Sequence, residues 1–303
     1  MTSLQARAPG KVNLSLLVGG AREDGRHELV TVLESVSLCD ELSLTVLGED
    51  AASDEVVCPG VEGPNLVAAA LERLRARGWD GPRVRIEVVK RIPVAGGMAG
   101  GSSDAAAALR LAEAVHPVTD EVIAVVAAEL GSDVPSQLVP GTWIATGAGE
   151  SVEAAEALEP HALVIVPQPF ELSTADVYRE ADRLGALRTD AELSSSLEAM
   201  RTVLSLPGGR VPYELAVNDL EPAALSLRPE IAGALDEVRA AGVDGALVSG
   251  SGPTVFGLLW GGDAAERANA VAAELSGRYP GACAAVPVSE GFGQPSPRSG
   301  TIS

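Results

Sequence analysis

The chain has 303 residues, 46% hydrophobic and 21% charged, which is the composition of a folded globular protein and excludes a mainly disordered chain or a coiled coil. That length exceeds the roughly 100 to 200 residues of a single domain, so two domains with a cleft between them are expected. Its 22 basic and 42 acidic residues give a net charge of −20 with no basic stripe, which excludes general nucleic-acid binding through phosphate neutralisation.

From Lys11 onward, Val12, Leu14 and Leu16 alternate with Asn13 and Ser15, the period of a half-buried strand, and Lys11 stands at its entrance. A turn-rich segment at 19–25 precedes two further strands, 29–38 and 41–47, which begin an antiparallel sheet. Asn65 is placed to cap an alanine-rich helix over 66–77, and 83–89 alternates again as a strand. Residues 92–104 then hold four glycines and end where an alanine- and leucine-rich helix starts, running to about Val115. A helix over 119–130 stops at Gly131, read as a left-handed C-terminal glycine, and 132–135 make a tight connection into short strands ending near Gly147.

The acidic, alanine-rich segment 150–160 is the best domain boundary in the sequence. Beyond it, strands at 162–166, 246, 255 and 282–287 alternate with helices at 174–184, 191–204, 229–241 and 264–275, an α+β layer. Residues 289–303 are rich in glycine, proline and serine and are expected to fray.

Cys39, Cys58 and Cys283 are an odd, widely spaced set that suits reduced thiols better than a disulfide framework, and His27, His116 and His161 are equally scattered, so no zinc site is expected. No apolar run reaches the roughly 20 residues that span a bilayer, and residues 1–10 lack an apolar signal core, so a soluble cytoplasmic protein is expected. No heptads or long apolar edge point to an oligomer, which leaves a monomer or a homodimer.

The chemistry concentrates in the glycine loop. Glycines let backbone N–H groups approach an anion, and a helix N-terminus just beyond adds partial positive charge, so 96–103 suits a phosphate. With Lys11 and Lys90 as the only lysines, an anionic substrate must be held largely by such backbone groups, by arginines or by metal ions. Gly96 and Gly101 have the spacing of a P-loop, but Ser102 and Ser103 stand where that motif needs Lys and then Ser or Thr, so this is not a Walker A loop. Val152 and Val255 occupy the last glycine position of two partial GxGxxG runs, which gives a dinucleotide fold no support. A plain turn with a Ser or Asp cap is the bland alternative, but a second loop of small residues, 249–254, also permits close backbone approach.

Three segments in this order, 9–14, 96–105 and 249–256, resemble the signature motifs of the GHMP small-molecule kinases, which phosphorylate metabolite hydroxyls with ATP. The intervening blocks 22–27, 65–66, 92–93, 130–135, 173–178 and 218–220 resemble one branch, the 4-diphosphocytidyl-2-C-methyl-D-erythritol kinases of non-mevalonate isoprenoid synthesis. The similarity covers about residues 5–288 and implies an α+β, two-domain GHMP-kinase fold with an interdomain active-site cleft, the domains being 1–155 and 156–288 with a flexible tail at 289–303. It implies ATP as co-substrate with Mg²⁺, a cytidine-diphosphate sugar alcohol as acceptor, and no nucleic-acid or membrane partner.

Residue by residue, the resemblance implies Asp133 as catalytic base with Lys11 paired beside it to stabilise charge. ATP is assigned to Asn65, Pro93, Val94, Ala95, Gly96, Gly97, Met98, Ala99, Gly100, Gly101, Ser102 and Ser103. The acceptor is assigned to Asn13, Arg26, His27, Thr174, Tyr178, Ser251 and Gly252, with His27 at the base edge and Tyr178 stacked on its face. Arg26 departs from the branch, where an aromatic residue usually precedes the histidine, although a guanidinium plane can also stack on a base. Asp104 would repel ATP unless a metal or the helix end absorbs its charge, and the Mg²⁺ ligands stay unassigned. Taken alone, Asp133 reads as a turn aspartate and Lys11 as a solvated lysine. A kinase for another small alcohol of homoserine or mevalonate type, and a nucleotide-binding regulator without turnover, are the alternatives; the presence of both Lys11 and Asp133 argues against the second.

Overall fold

Two long strands with bulges dominate the first half of the molecule, and their apolar faces set where everything else packs. The structure, a computed structural model, describes residues 3–298 apart from 62 and 186. In chain order its first half comprises β1 (Ser3–Ala21), β2 (His27–Val46), β3 (Glu55–Val57), α1 (Leu66–Ala76), β4 (Val84–Val89), α2 (Gly100–Val115), α3 (Asp120–Leu130), α4 (Val134–Leu138), β5 (Thr142–Gly147) and β6 (Ser151–Ala154). The second half comprises β7 (His161–Val166), α5 (Thr174–Leu184), α6 (Asp190–Leu204), α7 (Glu221–Leu227), α8 (Glu230–Ala240), β8 (Gly245–Val248), β9 (Val255–Trp260), α9 (Ala264–Ser276), β10 (Cys283–Ala285) and β11 (Ser296–Pro297).

The first sheet runs β11-β1-β2-β4-β3, with β5 also paired to β2 and β6 to β5; the second runs β10-β7-β9-β8. The strands read from the sequence at 29–38 and 41–47 are one strand, β2, that changes partner along its length. Leu29–Glu34 pairs with β5 and Glu41–Val46 with β4. The two adjacent acidic residues Asp40 and Glu41 break the alternation, which is why 39–40 read as a gap. Lys11 is not at a strand entrance either: β1 starts at Ser3, and a bulge between Pro9 and Lys11 turns the Lys11 N–H away from β2 to donate to the Met98 carbonyl at 3.0 Å.

Helix α2 is buried almost all round: Ala105, Ala106, Ala107, Ala108 and Leu109 have no exposed surface, and small side chains let the helix lie close against β1, α1 and α4. The Gly131 reading needs correction, since its φ of 155° and ψ of 160° are not left-handed helical, and the chain leaves α3 extended. Helix α7 was missed because its seven residues are too short to show a period.

Between Ala154 and His161 the chain passes from the first sheet to the second. The halves share core: Val12, Leu14 and Leu17 of β1 cluster with Leu163, Ile165 and Phe256 of the second sheet. The tail expected to fray is ordered as far as Arg298. Arg110, buried in α2, donates to the carbonyls of Gly293, Arg7, Gln137 and Leu138, while the Arg7 guanidinium lies 4.9 Å from the Phe292 ring. Residues 299–303 lie outside the described residues. Among those described, no helix is long and apolar enough to cross a membrane.

A second link between the halves is ionic. His161, at the start of β7, faces the Glu34 carboxylate of β2 at 2.7 Å through Nε2 and the Glu159 carbonyl at 2.8 Å through Nδ1. Both partners accept, so the ring is satisfied only when both nitrogens carry hydrogen. Burial pulls its pKa down, but the hydrogen bond and charge of Glu34 outweigh that, and the net shift is upward from 6.5. A raised histidine contributes its full stability below the unfolded value and loses it as pH rises through the folded one. Glu34→Gln is therefore expected to cost on the order of 3 kcal/mol in urea unfolding at pH 6, because it breaks a buried pair. The deficit should shrink toward pH 9; a deficit constant across that range contradicts the pairing.

Candidate active site

The cleft between the two sheets has a volume of about 1000 Å³ and is lined by β1, the start of β2, the glycine loop, the N-terminal ends of α1, α2 and α4, one side of α5, and the loop between β8 and β9. Lys11 and Asn13 project into it from β1. The Lys11 ammonium donates to Asn13 Oδ1 at 2.7 Å and to the Gly97 carbonyl at 3.3 Å. Asn13 in turn donates to Thr31 Oγ1 at 2.8 Å, and Thr31 to the Ser15 carbonyl at 2.6 Å, a buried chain that fixes the Asn13 amide with its oxygen toward Lys11.

The glycine loop enters α2 through Ala95 and Ala99, both left-handed, with φ of 51° and 54°. Ala99 occupies the N-cap position and offers no side-chain cap. The helix has therefore begun before Ser102, Ser103 and Asp104, and none of them caps it, which removes the bland reading of this segment. The first-turn N–H groups, beside Gly100, Gly101 and Ser102 in the cleft wall, are left for an anion.

Most residues assigned from the sequence line this cleft: Lys11, Asn13, Arg26, His27, Asn65, Pro93, Val94, Ala95, Gly96, Gly97, Ala99, Gly100, Gly101, Ser102, Asp133, Thr174, Tyr178 and Ser251. Three do not. Met98 is buried in the core beneath the loop and offers only its carbonyl, to Lys11. Ser103 points to the other side of α2, where its hydroxyl meets the Pro9 carbonyl at 2.5 Å and Gln137 Oε1 at 2.9 Å. Gly252 sits behind Ser251, its N–H bonded to the Ser249 carbonyl at 2.9 Å. Asn65 borders the cleft, but its Oδ1 is occupied in capping α1 through Val67 N–H at 2.8 Å.

The expected ion pair between Lys11 and Asp133 is not formed: the Lys11 ammonium is held by Asn13 and Gly97, and Asp133 opens α4 without a capping bond. Burial, and then the negative charge of Asp133, push the Tyr178 hydroxyl up to about 12, so it stays protonated and uncharged beside that carboxylate. On α5, Thr174 Oγ1 meets Ser251 Oγ at 2.9 Å, joining this helix to the loop after β8. Asn218 holds the same loop from below by donating to the carbonyls of Val248 and Gly250 at 2.8 and 2.7 Å. Its neighbour Asp219 ties Arg188 to the Val18 N–H, so Asn218 and Asp219 build the site from behind while Leu220 lines it.

Lys90 and Asp182 were missed. Lys90 is a half-buried ammonium shared by two buried carboxylates, Asp40 and Asp104, the latter at 2.7 Å. Lys90 thus offsets the charge that Asp104 would otherwise present so near a phosphate loop. Burial pushes the Asp104 carboxyl up, Lys90 pulls it back and Asp40 pushes it further, leaving it at about 7, with Oδ1 unpartnered. Asp182 bonds His27, and its spacing of four from Tyr178 on one helix face was the available signal.

Comparison with known proteins decides the family. The GHMP kinases N terminal domain matches residues 65–141 and the GHMP kinases C terminal domain residues 209–280. A 4-diphosphocytidyl-2-C-methyl-D-erythritol kinase of Salinispora tropica is 41% identical over 90% of this chain and 88% of its own length, and that of Rhodococcus jostii is 42% identical over 94% and 91%. The chain belongs to the GHMP kinases. Within them it belongs with the 4-diphosphocytidyl-2-C-methyl-D-erythritol kinases, whose crystal structure superposes with a TM-score of 0.71 at 35% identity, covering 94% of this chain and 99% of that one. A homoserine kinase from Cytophaga hutchinsonii, at 18% identity and a TM-score of 0.65, shares the fold.

Asp104 carries a testable consequence. Its folded value of about 7 exceeds the unfolded 3.8, so between these limits the folded state holds a proton the unfolded state has lost, and stability falls as pH rises. The stability difference between the native chain and Asp104→Asn, followed by thermal melting from pH 4 to 8, is expected to move in favour of the variant as pH increases. A difference independent of pH contradicts this account of the Asp40–Lys90–Asp104 cluster.

Proposed function

We propose that the protein transfers the γ-phosphoryl group of ATP to the 2-hydroxyl of 4-(cytidine 5′-diphospho)-2-C-methyl-D-erythritol in non-mevalonate isoprenoid synthesis. The single observation that carries this is the convergence of Lys11, Asp133 and an uncapped α2 N-terminus on one cleft, in a chain whose relatives over nearly its full length carry that activity.

The glycine loop and the first turn of α2 hold the ATP phosphates through backbone N–H groups, as a chain of net charge −20 requires. Asn13, His27 and Tyr178, with Arg26 at the rim, receive the cytidine end of the acceptor. Arg26 is paired with Asp24, with Nη2 to Oδ2 at 2.8 Å and Nε to Oδ2 at 3.0 Å, which orients its guanidinium at the cleft edge. As the acceptor oxygen bonds to the γ-phosphorus and the bond from phosphorus to ADP breaks, Asp133 takes the hydroxyl proton. Lys11 offsets the charge spread over the transferring group; its hold on Asn13 and Gly97 fixes its ammonium before substrate arrives.

Mg²⁺ suits an oxygen-lined cleft and usually keeps several waters and the nucleotide phosphates as ligands. Ser102 and Asp133, which line the cleft at the starts of α2 and α4, would supply protein oxygens to an ion carried in by ATP. When bound, it neutralises charge on the β- and γ-phosphates.

ADP release from purified protein with ATP, Mg²⁺ and each of diphosphocytidyl-methylerythritol, homoserine and mevalonate tests the reading. Turnover is expected with the cytidine substrate alone, and Asp133→Asn is expected to lower kcat by about a thousandfold, as loss of a general base does. Turnover confined to another alcohol, or nucleotide binding without turnover on any, contradicts it.

A further inference from the structure

His27 is the residue in the cleft whose two ring nitrogens have different fates. Its side chain is 7% exposed and its ring centre lies 5.0 Å from that of Tyr178, tilted by 33°. Nε2 stands 2.8 Å from Asp182 Oδ1. Asp182 comes one helical turn after Tyr178 on α5, so one helix face supplies both the ring beside the imidazole and the carboxylate that holds it. Nδ1 has no protein partner among the described residues, and it is not among the buried atoms left unpaired, so it is open to the cleft that His27 lines.

A carboxylate oxygen only accepts, so the Nε2 that faces Asp182 carries the hydrogen, and in the neutral ring Nδ1 is then a bare acceptor. A bare acceptor bonds an N–H group and repels a carbonyl oxygen. Cytosine carries an amino group at C4, where uracil carries a carbonyl, so the two bases differ in the property that this nitrogen senses. Were the hydrogen on Nδ1 instead, the preference would reverse.

We propose that Asp182 is a positioning residue that locks His27 in its Nε2–H form, and that the acceptor thus presented at Nδ1 makes the cleft select an amino-bearing pyrimidine over its keto counterpart. This deepens the proposed function and rests on its placing of the cytidine end beside His27. Asp182 acts through the histidine it bonds, and its contribution is the choice of tautomer. An asparagine in its place can turn its NH₂ toward Nε2 and move the hydrogen to Nδ1, whereas a glutamate keeps an acceptor there.

The experiment compares CDP and UDP binding by calorimetry to the full chain and to Asp182→Asn and Asp182→Glu, with ATP affinity as the check on folding. Histidine ¹⁵N spectra at pH 8, assigned with His27→Gln, read the tautomer. Native protein is expected to prefer CDP by at least about tenfold, the scale of one mismatched hydrogen bond. That preference should fall to within about threefold in Asp182→Asn and return in Asp182→Glu, with the His27 signal of the Nε2–H form lost only in the former. Equal affinity of the native protein for both diphosphates, an unchanged ratio in Asp182→Asn, or an Nδ1–H signal from native His27 overturns the inference while leaving the kinase reading in place. Failure of the native protein to bind either diphosphate removes the cytidine reading and this inference with it.

Discussion

The site depends on a contact between two backbones that leaves no room for a side chain. Gly97, in the left-handed region at φ 76°, sits so close to the loop after β8 that a Cβ there would fall deep inside the Ser249 carbonyl and 3.0 Å from the Gly252 nitrogen. Its own carbonyl accepts from the Ser249 hydroxyl at 3.1 Å and from the Lys11 ammonium at 3.3 Å. Gly250 presses back from the other side, with a virtual Cβ 3.1 Å from the Gly97 oxygen and 3.3 Å from the Lys11 nitrogen. One peptide group therefore joins the phosphate loop of the first half, the small-residue loop of the second and the lysine of β1, and the cleft takes its shape from that junction.

Charge is handled around this junction with very few cations. Of the two lysines, Lys90 is committed to Asp40 and Asp104 below the start of α2, where it offsets carboxylates that would otherwise face a bound nucleotide. Lys11 bonds only neutral oxygens, so its charge is available to an anion. The two arginines that line the cleft are already engaged, Arg26 by Asp24 and Arg179 by Asp176. Beyond Lys11, what remains for a polyphosphate is the backbone of the glycine loop and the helix end, where the strained left-handed residues Ala95 and Ala99 lie.

Much of this was legible in the sequence, and what was not has specific causes. The loops 96–105 and 249–256 were legible because close backbone approach demands small residues, and small residues are visible without any structure; 9–14 was marked by its strand alternation and by the family resemblance. Met98 and Ser103 were wrongly grouped with the cleft because a run of loop residues does not reveal where the helix begins; with Gly100 as the first helical residue, Ser103, Ala107 and Arg110 fall on the inner face. The Asp40–Lys90–Asp104 cluster was invisible because its members come from β2, the end of β4 and α2, and only the partner change along β2 brings Asp40 to the other two. The ordered C-terminal segment was invisible for a similar reason: what holds it is a buried arginine 183 positions earlier. Asp182, by contrast, stood one helical turn from a residue already singled out.

The measurement that tests the account most directly is ATP binding by Gly97→Ala, with circular dichroism to verify the fold and Gly233→Ala, whose added methyl meets nothing within 4 Å, as reference. If the backbone junction sets the phosphate loop, Gly97→Ala keeps its secondary structure and binds ATP at least about a hundredfold more weakly, the cost of a strained, overpacked position, while Gly233→Ala binds as the native chain does. Native-like ATP affinity in Gly97→Ala would contradict the central claim, because the loop would then be positioned by something other than the contact between Gly97 and the 249–252 backbone.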